Sequence, residues 1–277
     1  MAGMANSGHP LVDSMRRAGA LSSYFDLPVR VMDQDCWIDA SSLFQADDAR
    51  LRDMVMAHGR DRWGTDRPHV AGSAFIIAYL TRVTWPTIAQ YVLERRVPRV
   101  TLDNLALNRD GERIVGTGLN HPFFALLPGD PAANHQDAEV VADEAALYAR
   151  LKEWLFDANL STVTSALSRA ARASIKVSRN AVATSCAQAF NRLYSVVDNP
   201  NTVAQEALAF FSDSNSPVHR EVTIELFEHR GKRGLFSRRA GCCLWWRSKQ
   251  SNDYCSSCIL LPRERQDERF REILARR

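Results

Sequence analysis

The sequence lacks an apolar run long enough to cross a membrane, which takes about 18 residues. Its best candidate, Val70 to Leu80, has about half that length. The first residues also lack a basic segment followed by an apolar one, the pattern of a secretory signal. We therefore expect a cytoplasmic protein, whose contact with the inner membrane, if it makes one, is peripheral. Disulfide bonds are not expected in that compartment.

The sequence also lacks the motifs of the common enzyme classes. Gly116 and Gly118 are not followed by further glycines at the start of a helix, so they do not form a phosphate-binding loop. We find no convincing nucleophile triad, pair of catalytic carboxylates or histidine-rich metal site. A bound nicotinamide or flavin is therefore not expected, and electrons should reach this protein from another protein.

Cysteine is scarce, with six in 277 residues, but four of the six fall within seventeen positions. Cys242 and Cys243 are adjacent, eleven residues follow, and Cys255 and Cys258 form a CxxC pair. Core packing alone would not concentrate cysteines in this way, so the spacing indicates a metal or cluster site. Of the other two cysteines, Cys186 lies on the apolar face of a predicted helix and is assigned to the core, and Cys36, far from the motif in sequence, is also assigned to packing.

Two inorganic groups compete for these thiolates. A single zinc ion is often held by four cysteines, but usually by two CxxC-type pairs. Adjacent cysteines tend to point their side chains apart, which suits one small ion poorly. A [2Fe-2S] cluster takes two thiolates on each iron, so an adjacent pair and a CxxC pair can share it. The spacing favours the cluster and leaves zinc as the alternative.

The motif CCx11CxxC, close to the end of a helical chain of this length, resembles that of the siderophore-iron reductases of the FhuF type. In that family the motif binds a [2Fe-2S] cluster and usually has ten intervening residues, where this sequence has eleven. The rest of the chain matches more loosely, chiefly in helix order and over Trp154 to Asn191.

The resemblance implies a function for the motif. Cys242, Cys243, Cys255 and Cys258 would hold a [2Fe-2S] cluster that passes one electron to the Fe3+ of a siderophore, of the hydroxamate type, and releases Fe2+. A ferredoxin-like or other cellular donor would supply the electron. The alternatives are a zinc-stabilised nucleic-acid-binding protein and an iron-sulfur sensor or electron carrier.

Positive charge is concentrated at the same end of the chain. From His229 to Arg277 there are 13 Lys and Arg against 5 Asp and Glu, whereas the other 228 residues have 22 against 27. Positive neighbours stabilise the reduced form of a cluster. The surplus also fits a dock for an acidic electron donor, a solvated surface or a nucleic-acid patch. No helix-turn-helix or aromatic RNA-binding motif is evident, so nucleic acid is not expected as a partner.

The substrate site is predicted only by residue type. Aromatic and guanidinium groups suit bulky chelates, which makes candidates of Trp245, Trp246, Arg247 and Arg82. The two tryptophans have a simpler alternative role, which is to cover the cluster and exclude water.

The fold class predicted is α+β and predominantly α-helical, with a small β-hairpin or sheet region and a C-terminal cluster segment. We expect an N-terminal α+β half over 1–135, a helical half over 136–228 and a [2Fe-2S]-binding segment over 229–277. In the N-terminal half, the patterns predict an edge strand within 29–38, a helix ending near a charged His58, a two-helix hairpin broken near Thr84 and a β-hairpin over 99–118. In the rest of the chain, they predict helices over 138–157, 161–173, 178–197 and 203–211, and a final helix to Arg277.

Overall fold

Helices dominate the computed structural model, which describes residues 8–30, 36–111, 113–251 and 253–276. The helices are α1 Pro10–Leu21, α2 Asp48–Trp63, α3 Pro68–Glu94, α4 Glu144–Leu151, α5 Ser161–Ala171, α6 Ile175–Tyr194, α7 Pro200–Ser212 and α8 Arg263–Arg276. The strands are β1 Trp37–Asp39, β2 Arg96–Pro98, β3 Leu105–Asp110, β4 Arg113–Leu119, β5 Phe124–Leu126, β6 Ala138–Val140, β7 Val222–His229 and β8 Lys232–Arg239. The predicted fold class is confirmed. Among the described residues, no helix is long and apolar enough to span a membrane.

Helix α3 lies at the centre and packs against α1, α2, α5 and α6. It runs unbroken through Pro86, so the predicted break near Thr84 is wrong. A proline inside a helix cannot donate to the carbonyl four residues earlier, here that of Arg82. The hydroxyl of Thr117 in β4 donates to that carbonyl at 2.8 Å. A distant strand thus satisfies the group that the proline leaves without a donor.

The strands form three small sheets with the orders β1-β3-β4, β2-β5-β6 and β7-β8. The first contains the predicted hairpin, with β3 and β4 antiparallel and a bulge between Asn108 and Arg109. The edge strand predicted within 29–38 lies partly outside the described residues, and Trp37–Asp39 forms β1 beside β3. In the second sheet, β5 pairs antiparallel with β2 and parallel with β6.

The predicted helices over 138–157 and 161–173 form one continuous helical stretch that begins later. Residues 138–140 belong to β6, and the Asp143 carboxylate caps the start of α4 by accepting from the Ala146 N–H at 2.8 Å. Wider π-type turns over Lys152–Leu160 then connect α4 directly to α5. In this segment the buried Asn159 accepts from the Tyr79 hydroxyl at 2.7 Å, which ties the stretch to α3.

One apolar core serves most of the chain. It extends from Leu11 to Leu235 and so crosses both predicted halves. Cys186 lies fully buried within it on α6, as predicted. The predicted limit between 228 and 229 falls at the end of β7, and the tight turn at Arg230 and Gly231, both with positive φ, joins β7 to β8.

His58 does not end its helix. α2 continues to Trp63 and is terminated by Gly64, which has a φ of +60°. His58 is buried against Phe75, and burial lowers its pKa to about 4, so it is neutral near pH 7. The predicted role as a charged residue at the helix end is wrong.

Candidate metal centre

The first cysteine pair follows β8 in a segment that two helices hold in place. Gly241 lies so close to α6 that a Cβ there would come within 2.9 Å of the Asn180 Cγ. The buried Ser73 hydroxyl of α3 donates to the Cys243 carbonyl at 2.7 Å. Both contacts join the motif to the central helices of the core.

The second pair forms a tight turn against the last helix. The Cys258 N–H donates to the Cys255 carbonyl at 3.0 Å, which closes the CxxC turn. The amide of Gln266 in α8 donates to the carbonyls of Cys258 at 3.2 Å and Leu261 at 3.0 Å. α8 in turn packs on the β7–β8 hairpin through stacked Phe236 and Phe270 rings, 4.3 Å apart. The final helix therefore supports both sides of the motif.

The two pairs meet. All four thiols are free of disulfide bonds, with Cys243 and Cys258 buried and Cys242 and Cys255 half-buried. The side chains of Cys255 and Arg239 lie close enough to Cys243 to shift the pKa of its thiol. The Leu244 N–H donates to the Cys242 sulfur at 3.3 Å. Two cysteine pairs separated by eleven residues thus form one sulfur-rich site.

The electrostatics of this site favour a thiolate. Because the Cys255 thiol donates to the Cys243 sulfur, the pKa of Cys243 is lowered well below that of a free thiol, and Arg239 adds to the shift. The same contact raises the pKa of Cys255. Thiolates are the form of cysteine that binds metals.

The loop between the pairs docks on the end of α2. The ring of Trp245 packs edge-to-face on Trp63 at 5.2 Å, and the Lys249 N–H donates to the Trp63 carbonyl at 2.9 Å. Trp246 is 42% exposed, with the Arg247 guanidinium 4.9 Å above its ring. Of the predicted substrate candidates, Trp245 is thus a packing residue, while Trp246 and Arg247 face solvent beside the motif.

Arg82, the fourth substrate candidate, lies elsewhere. It is nine residues, or about 13 Å, along α3 from Ser73. It lines a cleft of about 360 Å³ together with Tyr24, Trp37 and residues of β4. None of the described residues of the cysteine motif lines that cleft. The structure does not bring Arg82 together with the other candidates.

A different cleft, of about 400 Å³, adjoins the CxxC turn. Its lining residues are Trp85, Gln188, Asn191, Arg192, Ser195, Phe236, Ser237, Ser256, Ser257, Phe270 and Ile273. Only Ser256 and Ser257 lie next to motif cysteines in the sequence. The rest come from α3, from α6 and Ser195 directly after it, from β8 and from α8, so no local sequence pattern could have indicated this cleft.

Comparisons with known proteins add little. No protein-family model matches the chain. No curated protein matches it either. Among solved structures, the ATP-bound aerobactin synthetase IucA from a hypervirulent pathotype of Klebsiella pneumoniae aligns with a TM-score of 0.47 and 20% identity. Another structure of the same synthetase gives the same values. The alignment covers 60% of this chain and 31% of the synthetase, and at that TM-score it carries no argument about function.

A cluster of two histidines and an aspartate forms where none was predicted. His9, His135 and Asp137 have potential ligand atoms within 4.8 Å of one another. The Nδ1 atoms of both histidines, however, accept backbone N–H groups, from Leu11 and Asp137, at 3.2 Å. A ligating imidazole normally donates from its other nitrogen. The cluster is therefore best described as a hydrogen-bonded link between α1 and the segment before β6.

Proposed function

We propose that the protein is a ferric-siderophore reductase of the cytoplasm. Cys242, Cys243, Cys255 and Cys258 would hold a [2Fe-2S] cluster, which supplies one electron to siderophore-bound Fe3+, and the product is Fe2+. The observation that carries the proposal is the meeting of both cysteine pairs, as free thiols, around the Cys243–Cys255 contact. The substrate proposed is a siderophore of the hydroxamate type.

The spacing of the cysteines in the sequence supports a two-iron cluster over zinc. A tetrahedral zinc ion with Zn–S bonds of about 2.3 Å sets all its sulfurs about 3.8 Å apart. The motif cysteines are an adjacent pair and a CxxC pair, and not the two CxxC-type pairs that usually hold such an ion. A two-iron cluster carries its thiolates in pairs on separate irons, so its four sulfurs do not all have to lie at equal, short distances from one another.

The chemistry proposed requires little of the protein besides binding and charge. Siderophores hold Fe3+ with hard oxygen donors, and the less charged Fe2+ is bound more weakly by the same ligands. One electron is enough to release the metal, without an acid, a base or a nucleophile. Arg239 beside Cys243 offsets the negative charge of the thiolates. The half-buried Cys255 lies towards the surface, where a donor and a chelate can approach.

The surface around the motif supports an acidic electron-donor protein, ferredoxin-like in the proposal. Four large apolar side chains that lie within three residues of a motif cysteine are more than a third exposed: Trp246, Tyr254, Ile259 and Leu260. Arg247 and Lys249 lie in the same loop. Because exposed charges are screened by salt, reduction of the cluster by an acidic donor should slow as ionic strength rises. A rate that does not respond to salt would count against this surface.

The basic surplus gives less support to nucleic-acid binding. Several of its arginines are paired with carboxylates: Arg233 with Glu228, Arg238 with Glu225 and Asp267, Arg265 with Glu268, and Arg269 with Asp253. Pairing of this kind reduces the charge available to phosphates. The sensor alternative is separated from the reductase by the following test.

The test compares Cys255→Ser with Cys36→Ser. Cys255 is a proposed ligand, whereas Cys36 is near β1 and far from the motif in sequence. After anaerobic purification, Cys255→Ser should lose most bound iron and sulfide and its release of Fe2+ from ferric hydroxamates, trapped by a ferrous chelator. Cys36→Ser should keep both. A fully active Cys255→Ser protein would refute the proposal, and a coloured wild type that releases no Fe2+ would favour the sensor.

A further inference from the structure

The cleft beside the CxxC turn is built from four parts of the fold. Trp85 of α3, Arg192 of α6, Phe236 of β8 and Phe270 of α8 line it, and Ser256 and Ser257 form its edge at the motif. At about 400 Å³ it is large enough to hold part of a bulky chelate and leave the remainder in solvent.

The position of the cleft connects it to the proposed electron source. Ser256 follows Cys255 and Ser257 precedes Cys258, so their Cα atoms lie about 3.8 Å from those of two proposed ligands. A molecule in contact with these serines therefore lies against the backbone that joins the ligands. The Arg82 cleft has no such contact.

The lining indicates the charge of the occupant. Besides aromatic rings, it offers hydroxyl and amide groups from Gln188, Ser195, Ser237, Ser256 and Ser257. Arg192 is the cation among the described lining residues, which include no carboxylate. Such a surface suits a ligand with many oxygen acceptors and a charge near zero, because a strongly negative chelate would require more cations.

We infer that this cleft is the chelate site, and that it takes an uncharged or singly charged ferric chelate and not a trianionic one. The inference rests on the proposed function. The half-buried Trp85 ring contacts the carbon framework of the chelate, the buried Phe236 and Phe270 rings form the wall of the cleft, and Arg192 and the serines donate to the oxygens of the chelate.

Redox-inert gallium(III) chelates separate binding from electron transfer. We would measure by calorimetry how the cluster-loaded protein binds a gallium trihydroxamate, which is uncharged, and a gallium tricatecholate, which is trianionic. Ser195→Trp, at an exposed position, fills the cleft, and Arg192→Glu reverses its charge. Arg179→Glu is the matched control, because Arg179 is exposed on the same helix but does not line the cleft.

The wild type and Arg179→Glu should bind the trihydroxamate more tightly than the tricatecholate. Ser195→Trp and Arg192→Glu should weaken trihydroxamate binding about tenfold or more, with an unchanged visible spectrum. Undiminished binding in these two variants, no binding by the wild type, or preference for the tricatecholate would overturn the inference. Fe2+ release by the wild type distinguishes failure of the cleft assignment from failure of the proposed function. If the wild type releases Fe2+ and the cleft variants bind the chelate as well as the wild type does, only the cleft assignment is refuted. If the wild type releases no Fe2+, the proposed function is refuted.

Discussion

Arg239 ends β8, and its positive charge lowers the pKa of Cys243, so it acts at short range on the proposed cluster. A positive neighbour stabilises the reduced, more negative form of a cluster. We predict that Arg239→Gln lowers the reduction potential. A loss of about 1 kcal/mol in charge stabilisation is on the order of 40 mV for one electron.

Arg239→Lys is the control for that measurement, since it keeps the charge and changes the geometry. In a redox titration followed by visible absorption, its potential should lie between those of Arg239→Gln and the wild type. Equal potentials in all three proteins would show that Arg239 does not act on the cluster.

His58 provides a prediction about acid stability. Its folded pKa of about 4 lies below the value of 6.5 for an exposed histidine. Between these values the unfolded chain binds more protons, so this residue's contribution is present above pH 6.5 and is lost as the pH falls towards 4. The loss should reach about 3 kcal/mol near pH 4.

The His58→Leu variant tests this origin, because leucine fills a similar volume without titrating. Urea unfolding at pH 7.5 and pH 5 should show a smaller loss of stability on acidification in the variant than in the wild type. An identical loss in both proteins would place the acid sensitivity elsewhere.

The His58 prediction failed for a reason that the sequence does not contain. Gly59, which directly follows the predicted helix end, lies inside α2, where a Cβ would come within 2.3 Å of the Ala71 Cβ of α3. The glycine serves close helix packing, and Gly64 ends the helix instead. The cysteine motif was recognisable because its residues are close in sequence, whereas packing partners such as Gly59 and Ala71 belong to different helices.

At the scale of elements, the turn between β8 and the first cysteine pair depends on Gly241. A Cβ there would press on Cβ and Cγ of Asn180, whose amide donates to the Glu221 carbonyl at 2.7 Å. We predict that Gly241→Ala destabilises the protein by about 1–3 kcal/mol and loosens cluster retention. Thermal unfolding and iron content after dialysis measure the two effects.

Gly129→Ala is the matched control, because a Cβ at Gly129 meets no atom within 4 Å. It should match the wild type in both assays. If Gly241→Ala also matched the wild type, the close approach of the motif to α6 would not be a structural requirement.

Other elements show which features local sequence patterns predict and which they do not. The β-hairpin within 99–118 was predictable from local alternation and turn residues. The continuity of α3 through Pro86 was not, because it involves the Thr117 hydroxyl, 35 residues from the carbonyl that it satisfies. The join between α4 and α5 similarly involves Asn159, which binds Tyr79 of α3.

At the scale of the whole molecule, the helical core supports a site carried by the last hairpin, the loop after it and α8. Ser73 and Asn180 connect the core helices to that region, and Phe270 packs α8 onto the hairpin. The motif was predictable from sequence, but the cleft beside it requires α3, α6, β8 and α8 together. Composition and periodicity specify the class of fold, and only the assembled chain defines a place for a chelate.

The central claim is that the four cysteines hold a [2Fe-2S] cluster. The most direct measurement is the visible spectrum of anaerobically purified protein before and after dithionite, with iron, sulfide and zinc quantified on the same sample. We predict a brown protein with about two irons and two sulfides per chain that bleaches on reduction. A colourless protein with one zinc would contradict the claim and the reductase proposal with it.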